Sequence, residues 1–219
     1  MELTLAEELT LLAYDDDTGK SKADMYLEYG IGGALLAELA LRGAVTLADK
    51  KVTVVDDTPP GDPLLDDALA KIAASTPRRP QHWVDRLHRG AKKATLARLV
   101  ERGLLREESG KVLLVIPFTT YPAEDGGPER EVRQRLHDAV VVGTVPQPRT
   151  ATLAMLVGAC EMGKHVFPEV SRRDLKRKLN DLAAGDWAAA ATKKVIDTIR
   201  AAVLTTVTTT AATAGTSNS

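Results

Sequence analysis

Between Arg78 and Arg98 the chain carries Arg78, Arg79, Arg86, Arg89, Lys92, Lys93 and Arg98 against one carboxylate, Asp85. Cations at this density attract phosphate, whether on a nucleic acid or on a membrane surface. A second phosphate-binding chemistry stands upstream in Gly30-Ile31-Gly32-Gly33, which reads as a glycine-rich loop ahead of a helix beginning at Ala34. Free N–H groups at such a position can cradle a phosphate. The loop follows no clear strand and is not followed by Lys-Ser/Thr, so it has neither the dinucleotide fingerprint nor a Walker pattern. Close helix packing accounts for the same glycines equally well.

Catalytic chemistry is hard to assemble from the remaining residues. His82, His88, His137 and His165 include no pair at the i, i+4 spacing of a metal-binding helix, and none lies in a Gly-x-Ser-x-Gly context. Adjacent carboxylates such as Glu7/Glu8 and Asp66/Asp67 point to different helix faces and cannot share a substrate. The acidic turn Asp15-Asp16-Asp17 lacks the later Gly and Glu of a calcium loop. Cys160 is the only cysteine and sits in an apolar run, which excludes an internal disulfide and a Cys-based zinc site and predicts a buried thiol. The expectation is a binding protein, not an enzyme, with no metal and no cofactor.

The elements that position the basic segment are mostly helical. Thr4-x-x-Glu7 is a capping box opening a helix with Leu5, Leu9 and Leu12 on its apolar side, and Asp62-Pro63 caps another. Trp83, Val84 and Leu87 share the inner face of a short helix whose other faces are basic. From Thr95 to Arg102 a helix stops at Gly103, and a strand Leu104–Arg106, a turn over 107–110 and a strand Lys111–Ile116 follow. Laid without gaps on Leu35–Asp56, this unit matches at Leu36/Leu96, Leu39/Leu99, Arg42/Arg102, Gly43/Gly103, Lys51/Lys111 and Val52/Val112, so a helix-then-hairpin unit is used twice. Four further helices are predicted: Glu129–Val142, Thr150–Met162, Arg172–Ala184 capped by Ser171, and Trp187–Leu204 capped by Asp186.

With 219 residues, 44% of them apolar and 4% aromatic, the chain can build a core of Leu, Val and Ala. The fold class expected is mainly α: a single helical domain over residues 1–204, a helical core ringed by amphipathic helices with small β-hairpins, and a disordered Thr/Ala/Gly/Ser tail over 205–219. No apolar run reaches the length of a membrane span and the N-terminus lacks a basic signal-peptide start, so a cytoplasmic location is expected. The net charge of −1 hides an asymmetry: residues 1–70 carry fifteen Asp/Glu against five Lys/Arg. That acidic segment suits basic peptides as partners.

Several stretches together resemble the Golgi phosphoprotein 3 family and its bacterial relatives. They are Leu3-Thr4-Leu5-Ala6-Glu7-Glu8, the run from Gly33 to Gly43, Pro60-Gly61-Asp62-Pro63-Leu64-Leu65-Asp66, Trp83, Leu99-Val100-Glu101-Arg102-Gly103 and Thr119-Thr120-Tyr121-Pro122. The resemblance spans residues 3 to about 200 and implies a peripheral membrane protein, reversibly associated. Its eukaryotic members read phosphatidylinositol 4-phosphate and recruit the cytosolic tails of membrane enzymes. By the same resemblance the headgroup falls to Arg89 and Lys92 beside Gly32 and Gly33. The family's arginine in the glycine-rich stretch is replaced by Gly32, and its tryptophan falls near Ala23. A membrane-inserting hairpin is implied at Val112, Leu113, Leu114, Val115, Ile116 and Phe118.

The partners expected are an anionic phospholipid surface and basic cytosolic tails of membrane proteins. The alternative is nucleic acid: Trp83 to Ile116 follows the helix, helix, strand–turn–strand order of a winged helix. Its would-be recognition helix presents only Arg98 and Arg102, with Glu101 between them, and the acidic residues 1–70 would repel a duplex.

Overall fold

A computed structural model of the chain describes residues 2–112 and 116–216. Thr4 caps helix α1 (Leu5–Leu11) by the reciprocal box with Glu7, and every residue of α1 is buried. It packs on α2 (Asp24–Leu41), the central helix, whose Leu27, Ile31, Leu36 and Leu39 are fully buried. Over residues 30–40 every residue of α2 is buried, and all but Glu38 lack a polar side chain, as a helix buried on all sides requires.

The expected loop at Gly30 to Gly33 is instead the middle of α2, one unbroken helix of 18 residues. Its glycines are packing sites. Gly30 meets the Cys160 thiol, Gly33 meets Val203, and a Cβ on Gly32 would lie 2.7 Å from the Val84 carbonyl oxygen. The close-packing explanation holds, and the N–H groups are committed to the helix's own ladder.

The two helix-then-hairpin units are present, and they differ. After α2, Gly43 takes φ +76° and β1 (Val45–Ala48) pairs antiparallel with β2 (Lys51–Val54) through Asp49 and Lys50, both at positive φ. The chain continues through α3 (Pro63–Ala73), capped by Asp62, α4 (Pro80–Leu87) and α5 (Ala91–Glu101). Gly103 repeats the left-handed stop at φ +68°. The second hairpin is displaced along the sequence: β3 (Glu108–Val112) covers part of the expected turn and pairs with β4 (Ile116–Thr120), with Val112 opposite Ile116. Leu104 and Leu105 are buried core residues ahead of the hairpin, which explains the shift.

The second half is α6 (Gly127–His137), a π-helical continuation over Asp138–Val142 closed by Gly143, α7 (Pro148–Ala159), the short α8 (Gly163–Val166), α9 (Arg172–Ala184) and α10 (Ala190–Thr216). The chain is mainly helical, with two small antiparallel hairpins, as its composition predicts. Where composition predicts a disordered tail from Thr205, α10 runs on to Thr216. Val203, Thr206 and Val207 recur at helical spacing and are buried. Among the described residues no helix is long and apolar enough to cross a membrane.

Candidate headgroup site

Helix α4 stops at His88, and Gly90, at φ +75°, lets the chain turn directly into α5. That junction places Arg89, Lys92 and Lys93 on one wall of an open cleft of about 840 Å³. Lys20 and Ser21, from the turn after α1, and Glu28 of α2 line it as well. The opposite rim is β4, with Phe118, Thr119 and Thr120, followed by Tyr121. The turn is tied to that rim by the Tyr121 N–H donating to the Gly19 carbonyl at 2.8 Å and by Tyr14 and Tyr121 meeting edge to face at 5.7 Å.

The start of α5 is built against ordinary helix electrostatics. It has no side-chain cap and no acid in its first turn, where Lys92 and Lys93 stand instead. Two cations at the positive end of a helix dipole repel it, and an anion seated there relieves both. Arg89 is 71% exposed and meets Asp85 at 3.3 Å, an i, i+4 pair that leaves the guanidinium in solvent. His88 stacks on Tyr29 with ring centroids 4.4 Å apart. Burial holds its pKa below the ordinary 6.5, against the pull of Asp85 and Glu28, so the imidazole is neutral near pH 7.

Arg89 and Lys92 are therefore brought into one cleft. Gly32 lies beneath it, where the missing side chain lets α4 approach α2, and Gly33 faces Val203 on α10. Neither glycine can give an N–H group to a ligand, because both are interior residues of α2. Of the hairpin residues, Phe118 is 40% exposed and lines the cleft. Val112 and Ile116 pair across the hairpin, and Leu113, Leu114 and Val115 lie outside the described residues.

Sequence reasoning missed Lys20, Glu28, Tyr14 and Tyr121: Lys20 comes from the turn after α1, Glu28 from α2, and Tyr14 and Tyr121 meet where that turn is bonded to the end of the second hairpin. It also missed where several charges go. Arg98 donates to Asp62 at 2.7 Å, and Arg102 donates to both carboxylate oxygens of Glu7 at 3.0 Å. These arginines face inward, so the exposed cations expected on a recognition helix are engaged inside the protein. Glu8 meets Arg135 at 2.7 Å, and Glu38 accepts from Arg149 at 2.8 Å and from the Leu5 N–H at 2.8 Å. Three of the amino-terminal carboxylates are thus interior and contribute nothing to an acidic surface. Cys160 is fully buried, and its thiol is pushed up to about 12. Among the described residues no group of His, Cys, Asp or Glu has the arrangement of a metal site.

The family model for Golgi phosphoprotein 3 (GPP34) matches residues 5–199. The chain belongs to the Golgi phosphoprotein 3 family. Among curated proteins, Vacuolar protein sorting-associated protein 74 of Eremothecium gossypii is 28% identical over 164 residues, covering 64% of this chain and 49% of that protein. The chain thus spans about half the length of that relative. The matched region of this Golgi phosphoprotein 3 family member runs from α1 into α10 and contains every described residue of the cleft.

Proposed function

We propose that this protein is a peripheral protein of anionic membranes that seats the phosphate of a lipid headgroup in the cleft at the α4–α5 junction. The observation that carries it is the meeting of Arg89, Lys92, Lys93 and Lys20 with the uncapped start of α5, beside an exposed Phe118. Phosphate takes charge-assisted hydrogen bonds from such a wall, and an aromatic side chain beside it suits the membrane interface. Phosphatidylinositol 4-phosphate is the headgroup the family suggests. Arg89 and Lys92 keep two of its cations, and Gly32 lacks a third.

In the same reading the protein is a reversibly bound adaptor at the cytoplasmic face of membranes. Basic tails of membrane proteins are its partners, and the exposed Asp56, Asp57 and Asp67 supply opposite charge. The name of the relative, which ties that protein to vacuolar protein sorting, supports work of this kind. The test is co-sedimentation with vesicles differing only in headgroup. Binding that needs an anionic lipid and weakens with salt supports the proposal, and equal recovery with neutral and anionic vesicles overturns it.

A further inference from the structure

The cleft has a second chemistry that a purely phosphate-binding site would avoid. Glu28 stands half-buried in its lining together with Lys20, Arg89, Lys92 and Lys93. A carboxylate there repels a phosphate and weakens the site for a purely anionic ligand. The same cleft is lined by the Tyr14 and Tyr121 rings. A carboxylate accepts hydrogen bonds from a primary ammonium group, which the cations of the same cleft cannot do.

We infer that the cleft recognises a phospholipid headgroup carrying both a phosphate and a primary ammonium, the phosphate on the Arg89, Lys92 and Lys93 wall and the ammonium at Glu28. The inference rests on the lipid-phosphate reading above and names the second group recognised. The open cleft of about 840 Å³ leaves room for both groups of such a headgroup to lie along it.

The experiment uses vesicles holding one fixed fraction of phosphatidylglycerol, with the remainder either phosphatidylethanolamine or phosphatidylcholine. The ethanolamine ammonium donates hydrogen bonds to a carboxylate, and the choline trimethylammonium cannot. Wild-type protein is expected to bind the ethanolamine vesicles about fivefold more tightly, the effect of one charge-assisted hydrogen bond at a partly wet site. Glu28→Gln is expected to bind both vesicles alike, and at least as tightly as the wild type binds the choline vesicles. The substitution is isosteric at a half-exposed position, and an unchanged melting temperature verifies the fold. Equal binding of the two vesicles by the wild type overturns the inference and leaves the phosphate reading standing. A preference that survives Glu28→Gln also overturns it, assigning the difference to lipid packing beneath the hairpin. Failure of the wild type to bind either vesicle overturns the phosphate reading itself.

Discussion

The backbone of His88 lies against Gly32: a Cβ on that glycine would come within 2.9 Å of the His88 amide nitrogen and 2.7 Å of the Val84 carbonyl oxygen. This contact fixes the end of α4 on the middle of α2 and so sets the direction in which Arg89 leaves the helix. Gly32→Ala puts a methyl group against backbone that has no rotamer by which to yield. The expected cost is about 1–3 kcal/mol, with a fall in melting temperature of roughly 2–4 °C per kcal/mol. A thermal melt beside a vesicle-binding assay checks it, because the same substitution is expected to weaken binding by tilting α4.

Arg149 ties three elements together. From the first turn of α7 its guanidinium reaches Glu38 of α2 at 2.8 Å, Glu8 of α1 at 3.4 Å and the carbonyl of Leu3. Glu8 and Glu38 are both almost fully buried, so Arg149→Ala leaves carboxylates without enough counter-charge inside the protein. Breaking a buried network from one side costs about 3–5 kcal/mol. Urea denaturation of this variant is expected to shift its midpoint far below the wild type. Arg172→Ala, at an arginine 91% exposed and 3.6 Å from Glu161, is expected to leave the midpoint unmoved.

Stability is expected to fall as pH rises from about 5 to about 8. Burial, with a hydrogen bond to Asp16, pushes the Glu129 carboxyl from its ordinary 4.5 up to about 8, in spite of Arg133 at 2.6 Å. Between those values the folded chain holds a proton that the unfolded chain has released, so each step upward in pH favours unfolding. Burial raises Glu8 in the same direction. Glu129→Gln is expected to flatten this part of the stability profile. Chemical denaturation at several pH values measures it, and a wild-type profile that rises with pH over the window would contradict the assignment.

Duplex DNA is expected not to bind at physiological salt. The helix that a winged-helix reading places in the groove, α5, spends Arg98 on Asp62 and Arg102 on Glu7. A mobility-shift assay decides the point, and a salt-dependent shift lost in Lys92→Ala/Lys93→Ala would mean that the cleft serves nucleic acid.

How much of this was legible in the sequence depends on the range of the interaction. Local signals held: the capping box at Thr4 and Glu7, Asp62 before Pro63, Ser171 before α9 and the left-handed stops at Gly43, Gly103 and Gly143 all work within a few residues. The buried pairs Arg102–Glu7 and Arg149–Glu38 join residues roughly a hundred positions apart, and no local pattern marks them. The glycines of α2 look like a loop because propensity disfavours them in a helix. The helices packed on α2 reverse that preference by filling the space each missing side chain leaves. In the cleft, the basic run marked the segment, and Arg89 and Lys92 were singled out within it by the family resemblance. Lys20 and Glu28 could not be found in either way: the turn at residues 15–22 that carries Lys20 is held by Tyr121, about a hundred residues away, and Glu28 meets the basic segment only because α2 packs beside the α4–α5 junction.

The central claim is that the α4–α5 junction is the membrane-binding site, and the Arg89→Ala/Lys92→Ala variant tests it most directly against Arg172→Ala/Arg173→Ala, which removes the same charge from α9. Each cation at an anionic surface is worth about 1 kcal/mol, so the first pair is expected to lose about 2 kcal/mol, or roughly thirtyfold in vesicle affinity, with its melting temperature unchanged. The control pair is expected to lose far less. Equal losses for the two variants, or unchanged co-sedimentation of a folded Arg89→Ala/Lys92→Ala protein, would contradict the account and leave the cleft without a role at the membrane.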